Sequence, residues 1–310
     1  MNLKKNLPDL LCQNYNDFEV IVANDFSTDN SENILEQLSS QFKRLKFFNV
    51  KKDIPGKKQA LIEALNKAAN DWILLTDADC VSEGTDWIKS MMNSVKKDTT
   101  KIVLGYSPSL YGSKLLSKWS HFETFITAVQ YLSFAMKGMP YMGVGRNLLV
   151  NKEIFNSGVL KRHLDIAGGD DDLSINSRAN ASNTIACCTQ ESFMKTFPPD
   201  SWLDYIRQKR RHYSTAHRYR LNHIILLSLY SLSQVGFYLG TVVLLVYYPI
   251  LSLTIVFFRL VLVTPVAKSL IKKLNSPLPV LLFIVFDFLQ AVYYTIFSFA
   301  VLFPKKNTWN

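Results

Sequence analysis

At 310 residues the chain is long enough for a full catalytic domain, and its apolar residues concentrate after residue 223. The net charge of +10 comes with basic residues crowded just ahead of that apolar tail, at Arg207, Lys209, Arg210, Arg211, Arg218 and Arg220. That placement fits a membrane border with anionic headgroups and argues against a nucleic-acid partner. Cys12, Cys80, Cys187 and Cys188 show no metal-ligand spacing and no disulfide framework, and no apolar core follows Met1 as in a secretory signal, so the pattern fits a reducing compartment.

In chain order, residues 18–23 form a short β-branched run that reads as a strand. It empties into Asn24-Asp25-Phe26-Ser27-Thr28-Asp29-Asn30-Ser31, rich in capping residues, ahead of a helical pattern over 32–41. A strand over 45–50, a helix over 57–69 and a strand over 72–76 repeat the alternation, which predicts a mostly parallel sheet flanked by helices. Ligands of such sheets sit beyond the carboxyl ends of the strands. The 24–31 loop and Asp77-Ala78-Asp79 would both lie there.

The run Trp72-Ile73-Leu74-Leu75-Thr76 delivers Asp77 and Asp79 abruptly to the sheet edge. Two carboxylates on one concave site repel each other unless a cation sits between them, and hard cations such as Mg2+ or Mn2+ combine carboxylate oxygens with phosphate oxygens. The plain alternative is a turn or helix cap. Pro55-Gly56-Lys57-Lys58 opens the next helix, where a lysine beside a helix N-terminus suits a phosphate, although an ordinary capped helix with a solvated lysine explains it as well.

Further on come a helix near 86–95, a strand over 101–106 and a long aromatic helical pattern over 111–137, read mainly as core packing. Tyr141-Met142-Gly143-Val144-Gly145-Arg146-Asn147 places two glycines before a strand, where backbone can approach a ligand. Gly168-Gly169-Asp170-Asp171-Asp172-Leu173 precedes a helix over 173–179. Capping accounts for one or two of these carboxylates and leaves a third for work as a general base. Residues 201–212 read as a helix with a cationic face.

These segments, in this order, resemble family-2 glycosyltransferases with a GT-A fold, of the membrane-bound inverting type related to polysaccharide synthases. The resemblance runs from about Asn6 to Ser214, with the tail similar in layout. It implies a nucleotide-sugar donor, UDP-linked in type, and a glycan or lipid-linked acceptor. Asp25, Lys57, Asp77, Gln208 and Arg211 are implied to bind the donor, and Asp77 and Asp79 to hold Mg2+ or Mn2+. Asp170 is implied to be the base, with Gly145, Arg146, Asn147 and His212 in the acceptor region. The implied reaction is direct displacement at the anomeric carbon with inversion, the metal neutralising the departing diphosphate. His212 stands where the family has Trp, Gly169 where it has Glu, and Phe26 where Gly is common. The family's first nucleotide-binding strand and loop have no counterpart, since the chain starts within what resembles the first helix.

The expected organisation is a GT-A-like domain over 1–222 and a membrane domain over 223–310 with two or three transmembrane helices. Segments 224–246, 247–267 and 278–303 are the candidates, with Arg259 in the second and Asp287 in the third expected to pair. Lys268, Lys272 and Lys273 place a cytoplasmic loop between the last two, whereas Lys305 and Lys306 argue for a cytoplasmic terminus. The expected location is the inner membrane, multi-pass, with the catalytic domain in the cytoplasm. Two other classes remain open at this stage: a nucleotidyltransferase on a similar sheet, and a degenerate membrane scaffold.

Overall fold

The computed structural model describes residues 2–51, 56–162 and 168–302, with side chains up to 297. Pro55, Phe303, Lys305 and Lys306 lie outside these residues. The chain divides into two compact units, one built from 1–110 and 127–197, the other from 111–126 and 198–305.

The first unit opens with α1 (Asn2–Leu11), β1 (Val20–Asn24), α2 (Ser31–Gln41), β2 (Leu45–Asn49), α3 (Lys57–Lys67) and β3 (Trp72–Leu75). It continues through β4 (Cys80–Ser82), α4 (Trp87–Met92), β5 (Ile102–Leu104), the later half of α5 (Leu115–Met136), β6 (Leu148–Asn151), α6 (Ser157–Lys161), α7 (Asp172–Arg178), β7 (Thr184–Ala186) and β8 (Met194–Thr196). Leu7 and Leu11 of α1, Leu35 of α2 and Leu45 of β2 bury one another. Each such side chain contributes about 1.5–3 kcal/mol on leaving water, so this small core fixes the first two helices on the β1–β2 ribbon.

The strands form a mixed α/β core. β1 and β2 pair in parallel, as do β5 and β7, but β6 runs antiparallel to both β3 and β5, and β4 to β8. The expected alternation of strand and helix holds only up to β3. After it, the chain returns through β6 in the opposite direction, which gives the four-stranded order β3-β6-β5-β7.

Among the described residues β1 pairs only with β2, and β3 only with β6. Both strands therefore keep one edge unpaired. The edges flank a cleft of about 230 Å3, bordered by Leu7 and Leu10 of α1, Ile21 and Ala23 of β1, and Thr76 and Asp77 after β3. In β1 the N–H of Val20 donates to Arg44 and the C=O of Asn24 accepts from Val50. Alternation along a parallel ladder then turns the backbone groups of Ile21 and Ala23 away from β2.

The second unit holds the first half of α5, α8 (Trp202–Tyr213), and three helices long and apolar enough to cross a membrane: α9 (Leu221–Tyr247), α10 (Pro249–Lys273) and α11 (Val280–Leu302). Trp119 and Phe122 of α5 are buried, with ring centroids 5.3 and 5.4 Å from Phe286 of α11. The aromatic face of α5 is thus core, as its spacing predicts. Arg259 and Asp287 pair at 2.7 Å.

Candidate active site

β3 ends at Leu75, and the chain turns sharply before β4 begins at Cys80, the Cys80 N–H donating to the Asp77 carbonyl at 3.1 Å. Four half-buried apolar residues seat the strand in the sheet, so the two carboxylates leave it together at its carboxyl end. Ligand atoms of Asp77, Asp79 and Cys80 lie within 4.8 Å of one another. No motif in the sequence points to Cys80. Its thiol is fully buried and donates to Asp79 Oδ1 at 3.6 Å. Burial first, then the charges of Asp79 and Asp77, push it up to about 12, which leaves a neutral thiol at physiological pH. The usable donor set is two half-buried carboxylates, which fits a hard divalent ion that takes its other ligands from water and phosphate.

Lys57, the first residue of α3, sends its Nζ to Asp77 Oδ1 at 2.7 Å and to Asp170 Oδ2 at 3.5 Å. Burial works to lower its affinity for the proton, but Asp170, Asp77 and Asp171 outweigh it and raise Lys57 above the ordinary lysine range. Next to it, Lys58 is buried and donates to the Gly168 carbonyl, fixing the start of α3 against the Asp170 loop. Four residues from three distant stretches thus meet: Lys57, Asp77, Asp79 and Asp170.

The three consecutive aspartates divide the labour. Asp171 caps α7, accepting from the Asp172 N–H at 2.8 Å and from the Gly145 N–H at 2.5 Å. Burial and the neighbouring charges of Asp170 and Asp172 push its carboxyl up to about 7. Asp172 accepts from the Leu173 N–H at 2.8 Å. Asp170 has a charged partner in Lys57 and is the member spared from the capping bonds.

Other predicted residues take different positions. Asp25 is exposed on the loop leaving β1, where Asn24 bonds Asn49 at 2.7 Å and the Ser27 N–H at 3.3 Å. Gly145 is close to a side chain, since a Cβ there would stand 3.0 Å from Asp171 Oδ2. Arg146 Nε donates to Ser107 Oγ at 3.3 Å. Asn147 is fully buried, its amide bonded to the carbonyls of Tyr106 and Ser192 and to Trp87 Nε1, so its side chain holds the core together and has no acceptor-facing atom left.

In the second unit, Gln208 and Arg211 are half-buried one turn apart on α8, and His212 is exposed. Lys209, part of the cationic face expected over 201–212, is buried and paired with Glu123 of α5.

The glycosyl transferase family 2 model matches residues 2–157. Among solved structures, the chain is similar to the mannosyltransferase PcManGT from Pyrobaculum calidifontis in complex with GDP-Man and Mn2+, at 14% identity and a TM-score of 0.57, covering 94% of this chain and 83% of that one. It is also similar to S. aureus TarS 1–349, at 15% identity and a TM-score of 0.46, covering 71% of this chain and 63% of that one. Comparison with curated proteins gives no match.

Proposed function

The chain belongs to glycosyltransferase family 2, and from that membership we propose that it transfers a sugar, with inversion, from a nucleoside-diphosphate sugar to a glycan or lipid-linked acceptor at the cytoplasmic face of a membrane. The observation that carries this reading is the meeting of Lys57 with Asp77 and Asp170 at the carboxyl end of β3. It puts a cation, a metal-type carboxylate pair and a candidate base on one small patch.

Asp77 and Asp79 would hold Mg2+ or Mn2+, which when bound supplies Lewis-acid stabilisation of diphosphate charge. Asp170 is assigned as the base that takes the proton from the acceptor hydroxyl. Its carboxylate stands 3.5 Å from Lys57 Nζ, which holds it at the site. Asp25, on the loop beyond β1, is assigned to the donor base, and Gln208 with Arg211 on α8 to the diphosphate, where the guanidinium fork matches phosphate oxygens. Arg146 and His212 are left as acceptor contacts.

The division at about residue 222, with a catalytic part before α9 and a membrane part after it, is part of this proposal. Arg218 and Arg220 border the start of α9, and Lys268, Lys272 and Lys273 lie in the last turns of α10. The α9–α10 connection, by contrast, carries no charge. Both basic borders thus fall on one side, which supports a cytoplasmic catalytic part.

The test is Mn2+-dependent binding of UDP and GDP to the detergent-purified chain, with Asp77→Asn and Asp79→Asn beside it, followed by product analysis with the nucleotide sugar that binds. Release of a nucleoside diphosphate with an inverted glycoside supports the reading. Transfer of the nucleotide itself, or nucleotide binding indifferent to metal and to both aspartates, would overturn it.

A further inference from the structure

The Lys57 ammonium holds one oxygen of Asp77, a carboxylate that the proposed divalent ion would share. Its Nζ stands 2.7 Å from Asp77 Oδ1, so an ion on that oxygen would sit within a few ångströms of a second full positive charge. Lysine offers a compact charge on a flexible stem, and a second carboxylate, Asp170, already lies at 3.5 Å. The α3 N-terminus beside it is itself electropositive and adds to the repulsion.

We propose that Lys57 is a place-holding cation, neutralising Asp77 in the metal-free site, displaced from it when the divalent ion binds, and passing to Asp170 and to the donor's diphosphate. This rests on the metal reading of Asp77 and Asp79 above. Magnitudes make the exchange feasible. The Lys57 and Asp77 side chains are 39% and 33% exposed, and a pair that open to solvent is held only weakly. A divalent ion competes against that with twice the charge. The same movement links the two halves of the chemistry, because the cation leaving the metal carboxylate goes toward the base.

The consequence is a divergence between two affinities. Without nucleotide, Lys57→Met should bind Mn2+ more tightly than the wild type, by about two- to fivefold, because a competitor has gone. With Mn2+ saturating, the same variant should bind UDP more weakly, because a phosphate partner has gone. Free Mn2+ read by electron paramagnetic resonance gives the first affinity in the detergent-purified chain, and calorimetry the second. Lys57→Arg, which keeps the charge, should leave Mn2+ affinity near that of the wild type and serves as the folding control. Asp79→Asn separates the failures. If Asp79→Asn leaves Mn2+ affinity unchanged, the metal reading falls, and the exchange with it. If Asp79→Asn abolishes Mn2+ binding while Lys57→Met binds Mn2+ no more tightly than the wild type, the exchange alone is overturned.

Discussion

Arg259 of α10 and Asp287 of α11 form an ion pair, Nη2 to Oδ2 at 2.7 Å, between two helices long and apolar enough to cross a membrane. Two residues of α9 complete it: Gln234 Oε1 accepts from Arg259 at 3.0 Å, and Tyr238 donates to Asp287 at 2.5 Å. An unpaired charge in hydrocarbon costs about 2–3 kcal/mol, so Arg259→Leu and Asp287→Leu should each lower the melting temperature of the detergent-extracted protein by several degrees. The double replacement should recover part of the loss, since it strands neither charge. Additive losses in the double variant would show that the pair is not what joins these helices.

Phe26 adopts φ 57, in the left-handed region that side chains avoid, on the loop that delivers Asp25. Holding a non-glycine residue there costs about 1–2 kcal/mol, part of which glycine would return as greater freedom of the unfolded chain. Phe26 is 46% exposed, so removing the ring forfeits about half of a phenylalanine's burial, roughly 1 kcal/mol against that strain. Phe26→Gly should therefore raise stability by up to about 1 kcal/mol in thermal unfolding. A loss of stability would mean that the ring's contacts outweigh the backbone strain.

That strain was foreshadowed in the sequence, where Phe26 stands at a position at which the family commonly has glycine. The first helices and strands were legible because their apolar period is local, and so were the long apolar helices after residue 220, whose hydropathy needs no partner, although the sequence left their number at two or three. The short strands β4, β7 and β8 were not, since three residues carry no period of their own and exist by pairing with distant segments. The site was half legible. Asp77 and Asp79 announce themselves by following an apolar strand, whereas the pairing of Lys57 with Asp170, and the burial of Asn147 and Lys209, come from tertiary contacts between segments far apart in the chain.

Gly169 has φ +86, and a Cβ there would stand 2.5 Å from Leu173 Cδ1 and 2.9 Å from Leu173 Cγ. Both the backbone and the space exclude a side chain, which accounts for glycine where the family has Glu. Gly169→Ala should destabilise the protein by about 2 kcal/mol or more. Adding Leu173→Ala should relieve the collision but not the backbone term, so rescue should be partial at most. Gly169→Glu, although it restores the family pattern, should lower both folded yield and sugar transfer. A fully stable, equally active Glu variant would contradict this account of the loop.

Asp171 supplies a pH-dependent term with a definite sign. Its carboxyl rises from 3.8 to about 7 because it is buried and sits between Asp170 and Asp172, with Lys57 and the Gly145 N–H pulling only partly the other way. The fold therefore binds this proton more tightly than the unfolded chain does. The stabilisation it brings is complete below about pH 4 and is lost as pH rises through about 7. Asp171→Asn keeps one acceptor oxygen for the α7 cap and cannot ionise. Its baseline stability will be offset by the lost second bond, but that offset does not vary with pH. The melting temperature of the wild type, measured against that of the Asn variant, should fall steadily from pH 4.5 to pH 7.5. A difference that stays constant across that window would mean that Asp171 is ionised throughout, and that Lys57 neutralises it as well as Asp170.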